Sequence, residues 1–373
     1  MKIVTLSVLG EDIPMGIGRQ LLSEHNNRQA LAPVEWTTVA LTTGESDLPF
    51  VQRIPPLFRY KHLRFLYGWM VARRLSRSHD FVLIRYMILD PFGWLFAPFV
   101  KNWLPVHHTN EISVILSSAP GFGGRWRATL ETLLARMSLR WARGIIGVTP
   151  EIAAVVQART GARVPTGAYL NGIDMTDAAL VADHRDPHDV AVAFVCDIFH
   201  PWHGLHKLFA AVRRDYAKAR AAGLRIHLIG ALLPEQQAEL DASEELAAIF
   251  IPHGRLQRRD YEPLFAASDL AIGSFASLEF TGLREATTLK VREMLAAGLP
   301  FYAGHIDAAL PADFPYFRIA AQPDIAELID VARELKKVSR AEVRQAATPY
   351  IRKDAMMMKV AKWLESLDAA APR

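Results

Sequence analysis

The sequence predicts an α/β protein of two domains, each a parallel sheet wound through βαβ units. Short β-type runs alternate with helical stretches along both halves, the pattern of strands joined by crossover helices. At 373 residues the chain exceeds what one ordinary core accommodates. A polar stretch rich in Asp and His, residues 174–189, separates two series of strands and reads as a linker. The expected division is therefore an N-terminal domain over residues 1–173, a C-terminal domain over 190–348, and a last helical segment over 349–373.

The composition fits that class. Hydrophobic residues make up 51% and charged residues 22%, an ordinary globular balance that is neither disordered nor fibrous. A single cysteine, Cys196, forbids an internal disulfide and fits a reducing compartment. The opening MKIVTLSVLG is too short an apolar run for a secretory leader and passes into Glu11 and Asp12. No stretch approaches about 18 uninterrupted apolar residues, so no membrane span is expected. The longest, residues 87–100, is broken by Asp90, Pro91, Gly93 and Pro98. A formal net charge of +4 selects no partner by itself.

In the first half, strands are expected over residues 2–8, 34–41, 81–84, 105–108 and 144–148. The first runs into Pro14-Met15-Gly16-Ile17-Gly18-Arg19, a short glycine loop before a helix. Gly16 and Gly18 would let a backbone approach a phosphate closely, or form a tight turn and nothing more. Residues 57–77 interleave Arg59, Lys61, Arg64, Arg73, Arg74 and Arg77 with Phe58, Tyr60, Phe65, Tyr67 and Trp69. The cations scatter around the helix axis, which suits a part-buried helix with snorkelling cations. Contact with lipid headgroups or single-stranded nucleic acid are the other readings.

Residues 123–143 are more cleanly amphipathic. Arg125, Arg136, Arg140 and Arg143 fall within about 60° of one another on a helix, and Trp126, Leu130, Leu133, Leu134, Met137 and Trp141 fill the adjoining sector. That pattern suits first a core helix with a solvated edge and second adsorption to an anionic bilayer. His107 and His108 close the fourth strand, where open parallel sheets collect ligands. Adjacent strand residues point to opposite faces, so the two make a poor joint metal site. One of them can bond a sugar or phosphate oxygen, or be structural. Thr149 and Pro150 read as N-cap and first-turn residue of the next helix, and Asn171-Gly172 as a turn after a strand.

In the second half, strands are expected over residues 190–195, 225–229, 249–251, 270–273 and 301–303. The first leads to Cys196-Asp197-Ile198-Phe199-His200-Pro201-Trp202-His203-Gly204, with Lys207 in the following helix. His253-Gly254-Arg255 ends the third strand. Residues 282–300, GLREATTLKVREMLAAGLP, carry Glu285 and Glu293. On one helix these would lie roughly 80° apart, so the better reading puts Glu285 in a loop and Glu293 one turn into the helix that follows. Thr287 and Thr288 are candidate N-caps, Leu289 and Lys290 begin the helix formers, and Gly298 then Pro300 stop it. The free amides of such a start attract phosphate. Residues 348–367, with Trp363 and Leu364, carry a last helical pattern before a tail of small residues, 369–373.

The run Glu285-Ala-Thr-Thr-Leu-Lys-Val-Arg-Glu293, with its Gly-Leu-Pro ending, resembles the E-x7-E mark of retaining nucleotide-sugar glycosyltransferases of the GT-B type, in particular the group GT4. Asn171-Gly172-Ile173-Asp174 is similar to that family's crossing between domains, and Trp202-His203-Gly204 to a segment of some of its subgroups. The resemblance covers nearly the whole chain. It implies two Rossmann-like domains with parallel sheets facing a central cleft, and a last helix that packs back on the first. It implies catalytic positions at His108 and Glu285, the glutamate on the donor sugar, with Glu293 on the nucleotide ribose. Gly16, Gly18, His203, Lys207, Thr287, Thr288, Leu289 and Lys290 would bind the rest of the donor, chiefly its diphosphate, and His253 and Arg255 its base. The chain departs from the family where relatives carry glycine near Cys196 and a basic pair near Asp197 and His203.

What the resemblance implies is transfer of a sugar from a nucleoside diphosphate to a saccharide or lipid-linked saccharide in surface polysaccharide or glycan biosynthesis. The step is a front-face displacement in which the departing phosphate helps to deprotonate the acceptor. The sequence has no Asp-x-Asp motif of the kind that holds a metal on a donor diphosphate, so no metal or other cofactor is expected. Cations, histidines and helix amides must then meet the leaving-group charge. A nucleotide-sugar epimerase of similar build and a non-catalytic assembly protein are the alternatives. Nucleic-acid binding and nicotinamide chemistry lack a complete fingerprint. The expected location is cytoplasmic, with peripheral contact at an anionic inner membrane face as the variant.

Overall fold

The computed structural model describes residues 1–369, so the end of the expected terminal segment and of the small-residue tail, residues 370–373, lies outside the described residues. The chain divides into two units, residues 1–174 with 352–369, and residues 175–351.

The first unit contains β1 (Lys2–Val8), β2 (Glu35–Thr42), β3 (Val51–Arg53), β4 (Phe81–Arg85), β5 (Trp103–His107), β6 (Ile145–Gly147) and β7 (Thr166–Ala168). They pair in parallel in the order β3-β2-β1-β4-β5-β6-β7. Between them run α1 (Met15–Asn27), α2 (Lys61–Leu75), α3 (Gly93–Phe96), α4 (Glu111–Ser118), α5 (Phe122–Leu139) and α6 (Pro150–Thr160). Strands covered on both faces must be apolar almost throughout, and in β1 and β4 the residues from Ile3 to Leu6 and Phe81 to Ile84 are buried without a break.

The second unit holds β8 (Ala191–Ile198), β9 (Arg225–Ala231), β10 (Phe250–Gly254), β11 (Leu270–Ile272), β12 (Glu285–Ala286), β13 (Phe301–Ala303), β14 (Ile306–Asp307) and β15 (Phe317–Ile319). Six form a parallel sheet in the order β10-β9-β8-β11-β13-β15, and β12 pairs with β14 apart from it. The helices are α7 (Leu205–Arg214), α8 (Tyr216–Ala221), α9 (Pro234–Asp241), α10 (Glu244–Ala247), α11 (Arg258–Ala267), α12 (Ser277–Thr281), α13 (Leu289–Ala297), α14 (Ile325–Leu335) and α15 (Arg340–Ile351). Strand order reverses between β1 and β4 in one sheet and between β8 and β11 in the other. Ligands of open parallel sheets gather outside the carboxyl ends of such strand pairs.

The last helix, α16 (Lys353–Ala369), closes the core of the first unit: Met356, Met357, Val360 and Leu364 pack with Ile3, Trp36, Phe81 and Leu104. Burying each such side chain contributes about 1.5–3 kcal/mol. The expected single helix over residues 348–367 is broken, because the Lys353 amide donates to the Ile173 carbonyl at 2.9 Å and leaves the helical ladder there. Strands β3, β7 and β15 and the β12–β14 pair were not expected. At two or three residues each, they are too short for alternation to register.

The largest departure is α5. Its buried face is Gly124, Ala128, Glu131, Ala135, Ser138 and Leu139, not the large apolar sector of a core helix. Trp126, Leu133 and Trp141 remain 58%, 54% and 48% exposed, and Phe122 is 86% exposed. Close approach explains the inversion: a Cβ on Gly93 of α3 would stand 3.2 Å from the Ser138 Cβ, so only small residues fit between the two helices. Arg143 also leaves the expected stripe, since its guanidinium donates to the Leu367 carbonyl. Among the described residues no helix is long and apolar enough to cross a membrane.

Candidate functional site

In the second unit the glutamate stretch folds much as its residues dictate. Thr288 is the N-cap of α13, its hydroxyl accepting from the Val291 amide at 3.4 Å, while Thr287 is buried beside it. Gly298 ends the helix at φ 87°, in the left-handed region, where an added Cβ would also meet the Arg340 Cβ at 2.6 Å. Glu285 is not in a loop, as expected, but in β12, where it pairs with Ile306. Residues 285–286 read as loop because a strand this short has no partner in its local sequence; its partner lies twenty-one residues on.

Arg292 and Asp307 hold this arrangement together. Both are fully buried, and both guanidinium nitrogens reach the carboxylate, one at 2.8 Å. Asp307 also accepts from the Ala309 amide at 3.0 Å. The pair ties α13, which carries Glu293, to β14, against which β12 presents Glu285. It thereby sets the separation of the two glutamates. Glu293 itself is half-buried and lines a small cavity with Arg258 and Tyr261 of α11.

Outside the carboxyl ends of β8 and β11, the chain turns at His200–His203 into α7. Gly204 sits at φ 75° with Phe275 and Ala276 so close that a Cβ would meet them at 3.0 and 3.1 Å. His203 has a buried Nδ1 with no hydrogen-bond partner. Burial, reinforced by the Lys290 charge and by His200, lowers its pKa to about 3, so the ring is neutral. Lys290, from the first turn of α13, also hydrogen-bonds the Cys196 side chain, whose thiol burial otherwise pushes up. Thus Lys290, His203 and the start of α13 converge from segments nearly ninety residues apart. Lys207 is engaged elsewhere, in an ion pair with Glu279 at 2.9 Å. Asp197 and Arg255, both exposed, pair at 3.0 Å, and His253 bonds His227 at 2.9 Å.

In the first unit, Gly16 and Gly18 do not form a loop. Both lie in the opening turns of α1, which starts at Met15 directly after Pro14. Pro14 presets the helical entry, and the Gly18 amide already donates to its carbonyl at 2.9 Å. The two histidines separate as strand alternation requires. His107 is fully buried, stacked on Tyr86 with ring centroids 4.2 Å apart, and bonds Glu111 at 2.7 Å, which in turn pairs with Arg159 at 3.0 Å. His108 instead faces a cavity with Arg85, Gln20 and Glu24, and accepts from the Arg85 guanidinium at 3.1 Å. Burial and that guanidinium drive its pKa well below the usual value.

Glu24 anchors this region: Tyr169, Trp36 and Thr38 donate to it at 2.8, 3.1 and 3.1 Å, and the buried Lys353 ammonium stands 3.6 Å away. Sequence reasoning missed Arg85, Glu24, Arg292, Asp307 and Lys353. Arg85 alone carries a local signal, a charge interrupting the apolar run of residues 81–89 that needs a partner from elsewhere in the fold. The other four stand near polar or charged sequence neighbours, and only their burial in the fold distinguishes them.

Compared by sequence, the chain matches no protein-family model and no curated protein. Compared by structure, it is similar to sucrose-phosphate synthase from Thermosynechococcus elongatus, with a TM-score of 0.63 at 16% identity over 100% of both chains. It is similar to the apo form of the lipopolysaccharide outer core galactosyltransferase WaaB, at 0.62 and 13% identity, over 98% of this chain and 100% of that one. It is also similar to Anabaena HepE in complex with UDP, at 0.62 and 16% identity, again over 98% and 100%. With two parallel sheets of seven and six strands, the chain has the two-domain Rossmann-like GT-B fold.

Proposed function

We propose that the chain is a retaining glycosyltransferase of the GT4 kind. It moves a sugar from a nucleoside diphosphate to the hydroxyl of a saccharide or lipid-linked saccharide in surface polysaccharide or glycan biosynthesis. The observation that carries this reading is the pair Glu285 and Glu293, held at fixed separation by Arg292–Asp307 at the start of a capped helix beside Lys290 and His203. Glycosyltransferases of the same fold support it, among them HepE in complex with UDP-glucose and a starch synthase bound to ADP and acarbose.

In this reading Glu285 orients the donor sugar through its hydroxyls, and Glu293 accepts from the ribose. The first amides of α13 and the Lys290 ammonium take the diphosphate charge, which grows as the sugar leaves. Lys290 thus supplies the positive charge that the segment around Asp197 lacks. A neutral His203 contributes a hydrogen bond rather than a charge. The protein acts by positioning and by a preorganised field, and the departing phosphate takes the acceptor proton at the front face. No cofactor is assigned. Exposed Phe122, Trp126 and Leu133 beside Arg125, Arg136 and Arg140 support contact of α5 with an anionic inner membrane face.

Titration of the purified chain with UDP, UDP-glucose and ADP-glucose, followed by transfer assays on lipid-linked saccharides, tests the reading. Donor binding that weakens tenfold or more in Glu293→Ala is expected. Unchanged donor affinity in that variant, or no nucleotide binding by the wild type, would sink it.

A further inference from the structure

A second cavity of about 350 Å³ opens in the first unit at the carboxyl ends of β1 and β4, where strand order reverses. Three guanidinium groups line it: Arg64 from α2, Arg85 from the end of β4 and Arg127 from α5. No acidic residue lines it. Among the described residues, no carboxylate lies within ion-pairing distance of any of the three. Arg64 has a buried Nε without a hydrogen-bond partner. Arg85 donates to His108 and Gln20, both neutral acceptors, at 3.1 and 3.4 Å. The rest of the wall is mostly apolar, with Val8 and Ile115 on it, and the Ser118 hydroxyl there donates to the Val114 carbonyl at 2.8 Å.

Cations gathered on one wall repel one another, and burial raises that cost for Arg64 and Arg85. Glu24, in the adjoining cavity, offsets it for Arg85 without pairing with it, and it does not line this cavity. Burial lowers the pKa of Arg64, and takes Arg85 down to about 10 against the opposing charge of Glu24. Such a cluster is stable in its present geometry when an anion completes it, and guanidinium forks match the oxygens of a phosphate. The volume is that of a ligand pocket, not of a packing defect.

We propose that this cavity binds the phosphate group of a phosphorylated acceptor, either a sugar phosphate or a lipid-linked phosphosugar. The inference rests on the glycosyltransferase reading above and adds the chemical class of its second substrate. The donor groups named there all belong to the other unit, whereas this cavity is built entirely from the first.

The test is calorimetric titration of the full chain, with saturating UDP present, by glucose 6-phosphate, farnesyl phosphate, glucose and farnesol. Binding of either phosphorylated probe, at least tenfold tighter than its uncharged counterpart, is expected. A preference for glucose 6-phosphate assigns a soluble acceptor, and one for farnesyl phosphate a lipid-linked acceptor. Arg127→Gln, an exposed position that the fold tolerates, and Arg64→Gln should each weaken the phosphorylated probe roughly tenfold or more and leave UDP affinity unchanged. Equal binding of charged and uncharged probes, no binding of either phosphate, or a parallel loss of UDP affinity in the arginine variants would overturn the proposal. Failure of the donor reading is distinct: UDP would then not bind, or would bind Glu293→Ala normally, while the probe still followed the arginines.

Discussion

Replacing Asp307 by Ala should strike both the stability of the second unit and its donor affinity. Asp307 is 2% exposed and accepts from both terminal nitrogens of Arg292, itself 0% exposed, and from the Ala309 amide. Losing the amide's acceptor alone costs about 1–3 kcal/mol. Leaving a buried guanidinium without its carboxylate costs about 3–5 kcal/mol, and this larger penalty decides the outcome. Measured against a typical total of about 5–15 kcal/mol, the variant folds at 25 °C with a much reduced margin. Urea unfolding followed by circular dichroism reads the loss as a lower midpoint. Because β14 supports β12, UDP-glucose affinity should fall with it. An apolar pair, Arg292→Met with Asp307→Leu, should recover most of the stability, since no buried charge is then left uncompensated. A loss below about 1 kcal/mol in Asp307→Ala, or a double variant no more stable than the single one, would refute the reasoning.

Two further perturbations address the first unit. Burial raises the pKa of Glu131 to about 7, against the Tyr86 hydroxyl and the Leu89 amide that donate to it. A carboxyl raised in the fold stabilises it fully below the unfolded value of 4.5, and that contribution is lost as pH rises through 7. The total is roughly 3 kcal/mol. The stability difference between wild type and Glu131→Gln should therefore shift in favour of the variant between about pH 5 and 8, and a difference independent of pH refutes the assignment. Flotation with anionic liposomes tests the exposed face of α5: at about 1 kcal/mol per arginine, Arg136→Ser with Arg140→Ser should lower partitioning roughly thirtyfold. A wild-type chain that stays with the soluble fraction makes that face a solvated one.

The course of the backbone was largely legible in the sequence. The ten expected strands all occur, within a few residues of their places, because buried parallel strands are written as continuous apolar runs. The helix after Glu285 was legible down to its Thr288 cap and Gly298 stop, since capping depends on residues within one turn. Thr149 and Pro150 were readable for the same reason. Gly16 and Gly18 misled because a glycine pair carries no mark of which side of a helix boundary it occupies.

What the residues determined by themselves, then, was whatever depends on neighbours within about a turn: strand runs, caps and stops, and hence the α/β class. The tertiary structure alone decided which charges meet. Arg292 found Asp307, Lys290 came to His203, Lys353 to Glu24, and Arg64, Arg85 and Arg127 gathered around one cavity. It also decided that α5 turns its small residues inward and Phe122, Trp126 and Leu133 out, because helix packing responds to the space a neighbouring helix leaves, which no local pattern records. For Glu285 and Glu293 the division is the same. Their spacing could be read along the chain, but what holds it is a buried ion pair whose second member lies fourteen residues past Glu293.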